Sequence, residues 1–70
     1  MNVATRKKGK HLIVALNGEL NLYNVGEVKS QITTAIGADT PSLVMDFTDL
    51  KYIDSSGIGL MAQLKKKYGS

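Results

Sequence analysis

The stretch LVMDFTDLKYIDSSGIGLM, residues 43–61, decides how the chain is read. Leu43, Val44 and Met45 form an apolar run that continues through Asp46 and Phe47, as a buried strand over Ser42–Phe47 would. A second extended piece, Leu50 to Ile53, leads into Asp54-Ser55-Ser56-Gly57. Beyond it, Ile58, Leu60, Met61, Leu64 and Tyr68 recur at helical spacing. A strand thus delivers a serine pair to a helix N-terminus. A serine there ordinarily caps the helix, its hydroxyl accepting a backbone N–H. The same unpaired N–H groups, with the positive end of the helix dipole, also suit a phosphate. Gly57 and Gly59 are expected to leave the backbone uncrowded for a kinase. Asp54 is expected to orient the hydroxyl and, after modification, to repel the new dianion.

Upstream the pattern is that of an α/β domain. Residues 2–8 suit a polar edge strand, and Lys8-Gly9-Lys10 a turn. His11 to Asn17 predicts a strand with Leu12, Val14 and Leu16 on one side and Ile13 and Ala15 on the other. Apolar residues on both faces suit a central position in a sheet. Gly18 should break that strand, and Glu19 to Tyr23 should form a short extended connection. Asn24 reads as an N-cap with Glu27 in capping-box spacing. Val25, Val28, Ile32 and Ile36 mark a helix that Gly37 stops, before a polar loop ending in Pro41. Strand, helix and strand make a βαβ unit, which calls for parallel pairing and a right-handed crossover.

Composition agrees with one small folded domain over residues 1–70. Hydrophobic residues are 43% and charged residues 21% of the chain, near ordinary globular values. The absence of cysteine excludes a disulfide framework and thiolate chemistry. No apolar run approaches the roughly 18–20 residues that span a bilayer. The basic N-terminus has no apolar segment behind it to make a signal peptide. A cytoplasmic location is the resulting expectation. The net charge is +3, and the cations fall mainly in Arg6-Lys7-Lys8-Lys10 and Lys65-Lys66-Lys67. These read as a solvated strand-turn segment and a helix C-terminus, where lysines favour the dipole. Nothing aromatic is interleaved for base stacking, so direct nucleic-acid binding is not expected.

Enzyme chemistry finds few of its requirements. A serine nucleophile needs a base and an orienting acid, yet His11 is the single histidine. It lies at a strand start, and the serine pair lacks a Gly-x-Ser-x-Gly elbow. No phosphate-binding glycine loop is present, which argues against a nucleotide cofactor. Asp46, Asp49 and Asp54 read as strand-end and turn residues rather than metal ligands. Tyr23, Phe47, Tyr52 and Tyr68 suit the core or its rim, and Met45 and Met61 suit core filling.

Residues 43–61 resemble the central signature of anti-sigma factor antagonists and the wider STAS domain family: an apolar strand, an aspartate, a short link, Asp-Ser-Ser-Gly and an apolar helix. LIVALNGELN, residues 12–21, resembles the family's earlier strand with its Gly-Glu-Leu-Asp-like end. The resemblance implies a small mixed sheet with helices packed on it. It also implies phosphorylation at Ser55, with Asp54, Ser56 and Gly57 completing the motif. The implied partner is a serine kinase that acts as an anti-sigma factor and docks near Glu19, Asn21, Tyr23, Ile58 and Gly59. Asn21 stands where the family commonly has aspartate, which removes a charge from the loop facing the phosphosite. The family's later strand and helices have no counterpart before Ser70. An unpaired sheet edge is therefore expected, and with it either self-association, as by strand exchange, or a loosely packed monomer. The alternative is a STAS scaffold without the switch, or an accessory subunit of a signalling or transporter complex.

Overall fold

The computed structural model describes residues 1–37 and 42–68. The elements are β1 (Asn2–Lys8), β2 (His11–Leu20), α1 (Val25–Ile36), β3 (Ser42–Ile53) and α2 (Ser55–Tyr68). The sheet order is β1-β2-β3, with β1 antiparallel and β3 parallel to the central β2. The α/β class, the mixed sheet and the parallel βαβ pairing are as the sequence predicts.

Side-chain alternation on β2 places Leu12, Val14, Leu16 and Leu20 on one face, and all four are buried. Val28, Ile32 and Ile36 of α1 and Leu60 and Leu64 of α2 close over that face to make the core. Ile13 and Ala15, on the opposite face, are only half-buried, so the helices cover one side of the sheet. Gly37 ends α1 at φ 64°. The polar loop ending in Pro41 lies outside the described residues.

Three expectations are corrected. Gly18 does not end β2, because it is the one residue there that takes φ 115° without strain, and the strand runs on to Leu20. Leu20 thereby keeps the inward phase of Leu12, Val14 and Leu16 and is fully buried.

The pieces read as Ser42–Phe47 and Leu50–Ile53 form one strand of 12 residues. Two irregularities hide its continuity. Between Ala15 and Asn17 β2 advances two residues while β3 advances three, from Asp46 to Asp49. Between Gly18 and Glu19 it advances one while β3 advances two, from Leu50 to Tyr52. Each step carries one extra residue, as a β-bulge does. At the first, Asp46 Oδ1 accepts the Thr48 N–H at 2.9 Å and the Thr48 hydroxyl at 2.6 Å.

Nor is β3 buried. It is the edge of the described sheet, none of its residues is fully enclosed, and Val44, Phe47 and Tyr52 are exposed. Of the four aromatics, Tyr68 packs against the core, whereas Tyr23 is 96% exposed.

Candidate functional site

The Asp-Ser-Ser-Gly segment joins the end of β3 to the start of α2. Asp54, rather than a serine, caps the helix: its Oδ1 accepts the Gly57 N–H at 3.1 Å, the third helical position. Its Oδ2 accepts the Leu22 N–H at 3.0 Å, across 32 residues of sequence. The Asp54 N–H donates to the Leu20 carbonyl at 3.1 Å, and the Asp54 carbonyl accepts from Ile58 N–H at 3.0 Å. One residue therefore ties β2, the following loop and α2 together. The sequence assigned the capping role to the serines and a hydroxyl-orienting role to Asp54. Asp54 is the residue just before the first helical turn, where the acceptor for the third helical N–H must sit, so it takes the cap in place of the serines inside the helix.

With the cap supplied by Asp54, Ser55 occupies the first helical position and is exposed. Ser56 is half-buried in a shallow groove between the helices, shared with Val25, Gly26 and Gly59. The N–H groups of the first two helical positions, Ser55 and Ser56, have no partner inside the helix.

Gly57 has a different task from the one expected. It is buried, and a Cβ there would come within 2.6 Å of Ile53 Cγ1 and 2.9 Å of Leu20. Its missing side chain lets α2 sit on the end of the sheet instead of clearing space for a kinase. Gly59 does face open space, with nothing within 4 Å of a built Cβ.

The loop beside the serine is self-braced. Asn21 Oδ1 accepts the Tyr23 N–H at 2.9 Å, and the Asn21 carbonyl accepts from Val25 N–H at 2.9 Å. Asn24 ends α1 at its N-terminal side without a side-chain cap bond, so the expected capping box is not formed. Its amide is already engaged: Oδ1 accepts the Asn21 N–H at 2.9 Å and Nδ2 donates to the Glu19 carbonyl at 2.7 Å. This bracing holds Leu22 and Tyr23 outward at 68% and 96% exposure, and Ile58, one helical turn from Ser55, is 58% exposed.

Of the residues expected around Ser55, the fold brings Asn21, Tyr23 and Ile58 to this junction. Glu19 lies within β2 opposite Tyr52 and joins the loop through its carbonyl. Gly59 lines the groove between the helices. Leu20 and Leu22 were not singled out from sequence. The inward phase of β2, followed across Gly18, is the signal for Leu20; Leu22 carries no signal of its own. Among the described residues no three His, Cys, Asp or Glu side chains are grouped to hold a metal ion, and no helix is long and apolar enough to cross a membrane.

The family model of the STAS domain matches residues 2–70. The anti-sigma-B factor antagonist of Staphylococcus aureus (strain NCTC 8325 / PS 47) is 30% identical over 60 residues, covering 86% of this chain and 56% of that protein. The chain thus spans little more than half the length of that relative. Among solved structures, an anti-sigma factor antagonist from Mycobacterium paratuberculosis superposes with a TM-score of 0.86 at 21% identity, over 99% of this chain and 59% of the other. The Bacillus cell fate determinant SpoIIAA, in its phosphorylated form, gives 0.73 at 25% identity, over 96% of this chain and 62% of the other. On the family match over nearly its whole length, the chain belongs to the STAS domain family.

Proposed function

We propose that the chain is a regulatory binding protein of the anti-sigma factor antagonist type, switched by phosphorylation of Ser55, with a serine-kinase anti-sigma factor as its partner. The observation that carries this reading is the Asp54 clamp. It fixes an exposed hydroxyl at a helix N-terminus while holding exposed Leu22 and Tyr23 beside it. The likeness to SpoIIAA, a protein that has a phosphorylated form, supports it.

Before modification the junction offers what a protein partner buries well: a tyrosine, two aliphatic side chains and a small polar group at their edge. In the transfer, the Ser55 Oγ attacks the γ-phosphorus of ATP and the bond to the β-phosphate oxygen breaks. The hydroxyl proton passes to a base of the kinase, and ADP leaves. The product carries a charge of about −1.5 to −2 at neutral pH. The N–H groups of the first helical turn that lack an intrahelical partner can stabilise that charge, while Asp54 adjoins it with its own. A dianion amid the exposed apolar residues must be desolvated for the partner to return, and binding weakens.

A STAS scaffold or accessory subunit without the switch is the second reading. Asn21 favours it, because its neutral amide already completes the loop's hydrogen bonding and leaves no charge to interact with a phosphoserine. Incubation with an anti-sigma serine kinase and ATP, followed by site mapping by mass spectrometry, separates the two. The switch predicts one phosphate at Ser55, absent from Ser55→Ala, and weaker kinase binding by the modified form. Intact binding with no modification leaves the scaffold.

A further inference from the structure

Seven of the nine cationic residues lie in two runs separated by more than fifty positions, Arg6 to Lys10 and Lys65 to Lys67. The fold brings the runs to one end of the molecule. Lys7 pairs with Leu12, and Leu12 with Leu43. Beside them, the Ser42 N–H donates to the Lys10 carbonyl at 3.1 Å. Helix α2 starts at the far end of β3 and returns over the sheet, so Lys65 lines a groove with Leu43. A transverse row therefore runs Lys7, Leu12, Leu43, Lys65, with Lys8 and Lys10 at the hairpin and Lys66 and Lys67 in the last helical turn. All seven cationic side chains are exposed. No acidic residue precedes Glu19. Of the acidic residues after it, Glu27 lies in the first turn of α1, Asp39 lies outside the described residues, Asp46 lies near Arg6, and Asp49 and Asp54 lie toward the opposite end, where Ser55 is. Complementing the dipole accounts for lysines in the last turn of α2, but it gives no reason for those of the hairpin.

We propose that this basic pole docks on an anionic lipid surface. The pole is built from six lysines and one arginine, and lysine is depleted from protein–protein interfaces where arginine is enriched. Such interfaces also need a buried apolar anchor. Yet the exposed large hydrophobics Met1, Leu22, Tyr23, Tyr52 and Ile58 belong to the Ser55 end and Val44 to the open face of β3, which leaves Phe47 as the single one that shares a groove with a lysine of the pole. Single-stranded nucleic acid asks for free aromatic faces. Phe47 lines the groove that Lys65 shares but stands singly at the sheet edge, and Tyr68 packs against the core and carries the Lys67 ammonium 5.4 Å from its ring centroid. A bilayer bearing acidic headgroups asks only for several mobile point charges presented together. Docked in this way, the chain holds Ser55 away from the membrane. The inference does not depend on whether Ser55 is phosphorylated.

The test is partitioning of the chain onto phosphatidylcholine vesicles with and without phosphatidylglycerol, at low and at physiological salt. Binding is expected only with phosphatidylglycerol and should fall as salt rises. Each lysine is expected to contribute about fivefold. Replacing Lys7, Lys8 and Lys10 together by Gln should therefore weaken partitioning on the order of 100-fold. Replacing Lys65, Lys66 and Lys67 should do the same, while Lys29→Gln with Lys51→Gln changes little. Absence of binding at low salt overturns the proposal, and so does loss confined to one of the two clusters. Binding of an RNA oligomer or a polyglutamate peptide without vesicle binding overturns it in favour of that partner class. The salt series requires no substitution, so a variant that fails to fold does not remove the test.

Discussion

Asp46 and Asp54 stand on or just after the same strand, and both use the carboxylate to accept backbone N–H groups. Asp46 serves Thr48, two residues away, and closes a bulge at the sheet edge. Asp54 serves Gly57 and Leu22, and in doing so fastens a helix, a strand end and a loop from the first half of the chain. The elementary interaction is the same, but removing it has different consequences. A local acceptor can be replaced by water at an exposed bulge. Losing the long-range one frees a loop whose position depends on it.

The sharpest way to break this contrast is at Gly57, where the Asp54 end is packed most closely. Gly57→Ala places a methyl against Ile53 and Leu20, and overpacking of this kind should cost about 3 kcal/mol in urea unfolding. A loss under half that would mean the junction yields easily and is not the rigid end described. Asp54→Ala should cost about 2 kcal/mol, the sum of a lost N-cap and an orphaned loop N–H. It should also speed amide exchange at Leu22. Unchanged exchange there would show that the loop is held by Asn21 and Asn24 alone. Gly59→Ala, two positions along the same helix in open space, should have the opposite sign and stabilise by about 0.8 kcal/mol.

The smallest effect belongs to Asp46. The Thr48 hydroxyl, then its N–H and the nearby Arg6 hold this carboxyl below the usual aspartate range, against a weaker opposing effect of desolvation. The folded state thus favours the ionised form. The stability this gives is present above the ordinary aspartate pKa of about 3.9 and is lost as pH falls through the lowered value. Urea midpoints of the wild type and Asp46→Asn should differ slightly at neutral pH and converge in acid. A difference that persists in strong acid would assign it to shape rather than charge.

Much of the fold was legible because its signals are local. The inward phase of Leu12, Val14 and Leu16 and the helical spacing of Val28, Ile32 and Ile36 each lie within one element; the helix forms where expected, and the strand does so up to Asn17. Continuity of β3 was not legible. The inward residues Leu43, Met45, Leu50 and Ile53 depart from a period of two at each bulge, and a bulge is defined by the partner strand. The candidate site divides in the same way. Exposure of Ser55 follows from its place at a helix start, and the motif marks that place. The roles of Asp54 and Asn24 depend on acceptors and donors brought near by tertiary structure. Gly57 read as leaving room for a kinase because sequence does not show that Leu20 and Ile53 converge on it.

The two extra residues of β3 also bear on which length changes the chain can tolerate. Leu50 and Ile53 face the helices because the bulges restore their phase after Asp46. Deleting one residue between Phe47 and Lys51 would remove the extra residue of the first bulge, so Leu50 would follow Met45 in plain alternation and Leu50 and Ile53 would stay inward. Adding one there would instead turn the remainder of the strand over, directing Tyr52 toward the core and Ile53 toward solvent. Asp54 would then arrive on the wrong side of the sheet, and the serine after it would start no helix over Leu20. The spacing between the apolar strand and the Asp-Ser-Ser-Gly segment is thus a reading frame in three dimensions, tolerant of losing the bulged residue and intolerant of gaining another.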